Sequence, residues 1–154
     1  NIAMTRGMFV TVLGRMAKAD VSGYKESSFT DVKSDAYYMS YIEWAEENGI
    51  IKGIGDGKFA PDQSITRDQM AAILQNYAKV IGFTLPKVHE VKIFDDSEKI
   101  SAYAREAVKQ MQIAGIMSGK SGNIFDPQGT ATRAEVSAVL HRFVELMASS
   151  STIY

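Results

Sequence analysis

Apolar residues recur along this chain at the spacing of a helix face, three times over and each time behind the same pair of residues. Thr5-Arg6, Thr66-Arg67 and Thr132-Arg133 open the three runs. Four residues after each Thr stand Phe9, Met70 and Val136. Seven and eight after it stand Val12-Leu13, Ile73-Leu74 and Val139-Leu140, and eleven after it Met16, Tyr77 and Phe143. Spacings of four, seven, eight and eleven fall on one side of an α-helix. Three equivalent helices predict three copies of one unit that bury these stripes against each other.

Copies two and three have a longer pattern in common. Phe29-Thr30-Asp31 and Phe94-Asp95-Asp96 open them, 65 residues apart. One extra residue then sets a register of 66, which aligns Tyr37 with Tyr103, Gly49 with Gly115, Gly53 with Gly119, and Phe59-Ala60-Pro61 with Phe125-Asp126-Pro127. The spacing predicts first helices over 36–48 and 102–114, with stripes Tyr38, Ile42, Ala45 and Ala104, Val108, Met111. Gly49 and Gly115 then sit where a helix stop needs a left-handed residue, with Ile50 and Ile116 folding back onto Ala45 and Met111. Glycine-rich turns follow at 53–57 and 119–123 and lead through an aromatic and a proline into the Thr-Arg helix.

These patterns predict an all-α fold. The expected organisation is the closing helix of copy one in 1–24, whose opening half is absent, copy two in 25–84, copy three in 85–148 and a tail at 149–154, all in one compact domain. Residues 82–93, with Pro86, read as a linker, and the stretch from Ala148 onward as frayed.

Composition narrows the function. The chain has 154 residues, 45% hydrophobic and 23% charged, which suits a globular domain with a sizeable core. A net charge of −1 argues against nucleic-acid binding driven by phosphate contacts. No apolar run reaches the roughly 18–20 residues that span a bilayer. The absence of cysteine removes disulfides, thiolate catalysis and Cys-based zinc sites. The chain opens at Asn1 without a signal-peptide pattern and is read as a mature fragment. His89 lies in the linker and His141 in the last helix, with no nucleophile–base pair and no phosphate loop, so no catalytic residue, metal or cofactor is assigned. Asp56 and Asp62 flank a glycine-rich loop but lack the ligand order of a calcium loop.

The arginine is the informative residue. Thr66 with Gln69 and Thr132 with Glu135 fit a capping box, which accounts for the threonine and its partner. A cation at the first helical position faces the positive end of the helix dipole, at a cost of about 0.3–1 kcal/mol where exposed. Repetition at Arg6, Arg67 and Arg133 implies a compensating anion. One source is internal, through Asp31 and Asp96. The other is a bound carboxylate or phosphate. Tyr37 and Tyr103 are likewise either packing residues or stacking platforms for a sugar ring.

With these residues assembled, the chain resembles a set of S-layer homology repeats. The resemblance rests on Phe29-Thr30-Asp31-Val32, Trp44-Ala45-Glu46-Glu47-Asn48-Gly49-Ile50-Ile51-Lys52-Gly53, Gly55-Asp56-Gly57-Lys58-Phe59-Ala60-Pro61 and Ile65-Thr66-Arg67-Asp68-Gln69. Copy three repeats it in Phe94-Asp95-Asp96, Ala114-Gly115-Ile116-Met117-Ser118-Gly119, Phe125-Asp126-Pro127 and Thr132-Arg133-Ala134-Glu135. It implies a helical pseudo-trimer with a central three-helix bundle and projecting helix-loop prongs. It also implies an extracellular, non-enzymatic module that anchors proteins to the bacterial cell wall by binding secondary cell-wall polysaccharide, often pyruvylated, in grooves between repeats. The implied ligand-binding set is Arg6, Arg67, Arg133, Tyr37, Tyr103, Asp31 and Asp96, with backbone donors around Gly53, Gly55, Gly57, Gly119 and Gly122. Tyr37 and Tyr103 stand where the family usually has Trp, and copy one reads Thr5-Arg6-Gly7-Met8 without an acid or amide at the third helical position. The rival reading is a protein–protein assembly module of a surface layer, with self-association that completes copy one.

Overall fold

A computed structural model describes residues 2–151. It contains five α-helices: α1 (Arg6–Met16), α2 (Met39–Glu47), α3 (Arg67–Val80), α4 (Arg105–Ile113) and α5 (Arg133–Ser151). Short 3-10 turns occupy Ser97–Lys99 and Ala102–Ala104, and the described residues contain isolated β-bridges but no named strand. The fold is all-α, as the spacing predicts.

Threonine side chains start the three long helices. Thr5 Oγ1 accepts from the Met8 amide at 3.1 Å, Thr66 Oγ1 from Gln69 at 3.3 Å and Thr132 Oγ1 from Glu135 at 3.1 Å. At α3 the box is reciprocal, since the Thr66 amide donates to Gln69 Oε1 at 3.0 Å. The predicted stripes face inward. Phe9, Leu13, Met70, Leu74 and Phe143 are fully buried, and Val12 and Met16 are half-buried. Each fully buried side chain of this size contributes about 1.5–3 kcal/mol relative to exposure.

The first helices begin later than expected, at Met39 and Arg105 instead of 36 and 102. The residues ahead of them form tighter turns: Met39 N–H donates to Ala36 at 3.1 Å, and Ala102–Ala104 is 3-10. Side chains three apart share a face in either geometry, so apolar spacing does not distinguish the two. Both helix stops match expectation. Gly49 and Gly115 have φ of 73° and 77°, and the Ile50 and Ile116 amides donate back to Ala45 and Met111 at 2.8 and 3.0 Å.

Contacts gather the chain into two compact units, Met4–Ile65 and residues 2–3 with 66–151. In the first, α1 packs on α2, and Gly7 lets the ring of Tyr38 come so close that a Cβ there would lie 2.7 Å from its Cδ2. In the second, α3 packs on α4, and Tyr77 meets Phe143 of α5 at 5.7 Å between ring centroids. Each unit therefore joins the closing helix of one sequence copy to the opening half of the next.

The linker has no regular structure but is tied down. Val88 and His89 amides both donate to the Ile113 carbonyl, at 3.0 and 2.9 Å. The Gln112 side chain bridges the Glu90 carbonyl and the Lys92 amide, at 3.1 and 2.9 Å. At the other end, α5 continues through Ser149 and Ser150 to Ser151. Residues 152–154 of the expected tail, like Asn1, lie outside the described residues.

Candidate functional site

The two units build the same constellation. Arg6 and Arg67 leave their helix starts and reach across to an aromatic of the following copy. Arg6 Nε donates to the Phe59 carbonyl at 3.0 Å, with its guanidinium 4.4 Å from the Phe59 ring centroid. Arg67 Nε donates to the Phe125 carbonyl at 2.8 Å, with its guanidinium 4.6 Å from that ring centroid. Arg67 also donates to the Ser118 carbonyl at 2.7 Å and forms an ion pair with Glu135. Both arginines are 4% exposed. Their electrostatic compensation thus includes carbonyl oxygens and a π face, and for Arg67 a carboxylate.

The aspartates hold the other side of the same aromatics. Asp31 accepts from the Phe59 and Ala60 amides at 2.9 and 2.8 Å. Asp96 accepts from Phe125 and Asp126, both at 2.8 Å. Burial opposes ionisation of Asp96, yet these two amides, its own backbone donor and nearby Lys99 hold its carboxyl below the usual carboxylate range. The carboxylate that meets Arg67 is Glu135; Asp96 instead fastens the loop.

That fastening holds an unusual backbone. Ala60 and Asp126 precede prolines and have φ of 59° and 60°, the left-handed region that side chains disfavour. Each donates its amide to the aspartate of its own copy. Gly53 and Gly119 serve close approach: a Cβ on either would collide with the ring of Phe29 or Phe94 and with a hairpin carbonyl. The turns beyond them match too. Asp56 and Gly57 have φ of 56° and 70°, and Gly122 and Asn123 have 85° and 56°, so each copy closes a hairpin with two left-handed residues. Gly55, Gly57 and Gly122 are exposed at these tips.

The remaining candidates are exposed. Tyr37 and Tyr103 have 55% and 64% exposure, and Tyr37 meets Tyr38 edge-on at 5.0 Å. Arg133 is exposed, and its amide donates to the Ile2 carbonyl at 3.0 Å. The Arg6 and Arg67 amides make the matching bonds to Gln63 and Gly129, both at 2.9 Å. In all three cases the acceptor lies three residues ahead of another Thr of a Thr-Arg pair.

Phe59, Phe125, Ser118, Glu135 and Asp68 join the site without having been assigned to it from sequence. Asp68 is 2% exposed; its carboxylate accepts from the Thr66 hydroxyl at 2.7 Å and from the Ser101 amide at 3.1 Å, tying the start of α3 to the turn that carries Tyr103. The recurrence of Phe two residues ahead of Pro at one register was the available signal. Among the described residues no three His, Asp or Glu side chains converge to hold a metal, and no helix is long and apolar enough to cross a membrane.

Known proteins are similar to this chain in sequence. The chain is 36% identical over 146 residues to an amylopullulanase of Thermoanaerobacterium thermosulfurigenes, covering 94% of this chain and 8% of that protein. It is 29% identical to the surface-layer 125 kDa protein of Lysinibacillus sphaericus, covering 90% of this chain and 11% of that one. It is 28% identical to the cellulosome-anchoring protein of Acetivibrio thermocellus, covering 92% and 32%. The chain spans less than a third of each. A sequence model of the S-layer homology domain matches residues 28–71 and 93–137, so the duplicated Arg–Phe–Asp clamp belongs to a member of that family. This chain is an S-layer homology domain protein.

Proposed function

We propose that the chain anchors its parent protein to the bacterial cell surface by binding secondary cell-wall polysaccharide, with a preference for acidic, pyruvylated sugar. Family membership and the surface-layer and anchoring proteins among its relatives support the anchoring role. The observation that carries the glycan reading is the duplicated clamp, which rigidly holds a hairpin tip in units that each also expose a tyrosine. Pre-ordered polar backbone with an aromatic face suits a sugar, whose hydroxyls need fixed partners and whose ring face stacks.

Roles divide by exposure. Arg6 and Arg67, with Asp31, Asp96, Gly53 and Gly119, hold the loops in shape. Tyr37 and Tyr103 offer stacking surface, and Gly55, Gly57 and Gly122 offer tip backbone. Arg133 supplies an accessible guanidinium for the carboxylate of the sugar. The module performs no chemistry of its own, and any catalysis belongs to other parts of a parent protein.

Co-sedimentation with purified walls tests this. Tyr37→Ala with Tyr103→Ala should lower wall binding several-fold with helicity intact, and Arg133→Ala should reduce the preference for pyruvylated over unmodified polymer. Wall binding that ignores pyruvylation and survives all three substitutions would refute the glycan reading and favour protein-mediated assembly.

A further inference from the structure

Copies two and three differ where the segment ahead of the first helix runs along it. In copy two this segment is fastened. Ser27 Oγ and the Ser28 amide both donate to the Glu43 carboxylate, at 3.0 and 2.9 Å; Ser28 Oγ donates to Glu46 at 2.9 Å, and the Tyr24 hydroxyl donates to Glu47. In copy three, Lys92 and Ile93 stand in place of the serines and Lys109 in place of Glu43. Lys109 cannot accept as Glu43 does, so the Ser27 and Ser28 bonds to Glu43 have no counterpart there, while Gln112, in place of Glu46, accepts from the Lys92 amide at 2.9 Å.

A groove of about 330 Å³ lies along this segment and α4. Its walls include Val91, Ile93, Phe94, Ile100 and Val108. Ile93 is 78% exposed and Val91 53% exposed. Lys92, Arg105 and Lys109 also line it, against Glu98 as its one acid, and Lys92 Nζ stands 5.6 Å from the Phe94 ring centroid. In a chain of net charge −1, this is a local concentration of positive charge on apolar walls.

We propose that this groove takes an acidic peptide segment of another protein, seating one bulky apolar side chain on the walls and placing flanking carboxylates on Lys92, Arg105 and Lys109. Charge complementarity selects the acid, and the aliphatic walls select a peptide over a sugar. Hydroxyls pressed against Val91, Ile93 and Val108 side chains would lose water and find no partner. The proposal stands apart from the wall-anchoring reading, which uses other residues.

The test titrates the full chain into fluorescein-labelled hexapeptides in which Asp and Glu flank a single Leu, Ile or Phe, read by fluorescence anisotropy. Saturable binding that weakens with salt is expected. Ile93→Ser with Lys109→Glu puts the residue types of Ser28 and Glu43 into the groove; it should weaken binding by about tenfold or more, since an apolar contact is lost and a charge reversed. Lys92→Glu, at an exposed position, should weaken it several-fold with an unchanged circular dichroism spectrum. Wall sedimentation of these variants should equal that of the parent chain, which separates the groove from anchoring. Absence of binding at millimolar peptide, equal binding of peptides with Lys replacing Asp and Glu, unchanged affinity in both variants, or displacement by wall polysaccharide fragments would overturn the proposal.

Discussion

Asp96 and Arg67 grip Phe125 from opposite ends of its backbone, the carboxylate taking its N–H and the guanidinium its carbonyl. Neither charge can be removed without releasing a buried peptide group. Arg67→Ala should therefore cost roughly 2–4 kcal/mol, because two carbonyls and Glu135 lose their donor. Arg67→Lys should cost roughly 1–2 kcal/mol, since one ammonium cannot reproduce the planar fork. Urea denaturation of the two variants checks both the size and the order.

Acid should loosen the same clamp. Asp96 has a folded pKa below its unfolded value of about 3.9, so its contribution is present above that value and is lost as pH falls through the folded one. The melting temperature of the parent chain should drop more steeply below about pH 4 than that of Asp96→Asn, which has no such proton to take up. Parallel curves down to the acid limit would contradict this.

Ala60 gives a prediction of opposite sign. Its left-handed backbone carries a penalty of about 1–2 kcal/mol for a residue with a Cβ, while glycine adds about 0.5–1 kcal/mol of unfolded-state entropy. Ala60→Gly should stabilise by about 0.5 kcal/mol on balance, raising the thermal midpoint. Asp126 is the poorer site for this test because it also pairs with Lys120.

Gly7 and Tyr38 should behave as one unit. A methyl at Gly7 would press on the Tyr38 ring, so Gly7→Ala should destabilise by about 1–3 kcal/mol. Copy three has Ala104 where copy two has Tyr38, and Asp68 of α3 where α1 has Gly7. Tyr38→Ala should accordingly relieve a large part of the Gly7→Ala cost, read as a non-additive double-mutant cycle. The Pro61 carbonyl, 3.0 Å from the same methyl, keeps the relief incomplete.

Local features were legible in the sequence. Thr5, Thr66 and Thr132 cap their helices, and Gly49 and Gly115 stop theirs, because such devices depend on neighbours within a few residues. The arginine's role was half legible. Its awkward charge at the helix start announced a partner, but for Arg67 that partner includes the carbonyls of Phe125 and Ser118, 58 and 51 residues away. Backbone acceptors carry no letter in a sequence, so nothing at those positions marks them. Asp31 and Asp96 carry the charge that such arginines invite, yet they serve the amides on the far side of the aromatic. The groove over α4 was invisible because its lining comes from residues 91–109 on several separate turns, which only the folded chain brings to one face.

Each compact unit draws its two halves from consecutive copies, with Arg6 facing Phe59 and Arg67 facing Phe125. Gene recombination sees the repeat, 61 residues from Thr5 to Thr66 and 66 from Thr66 to Thr132, whereas selection on stability sees the interlocked junction. Inserting one whole period at residue 65 or 66 adds a complete lock and spares those already present. Swapping a fragment that ends between Arg6 and Phe59 forces an arginine from one lineage to fit a peptide from another. Chimeras joined at the first kind of breakpoint should outlive those joined at the second.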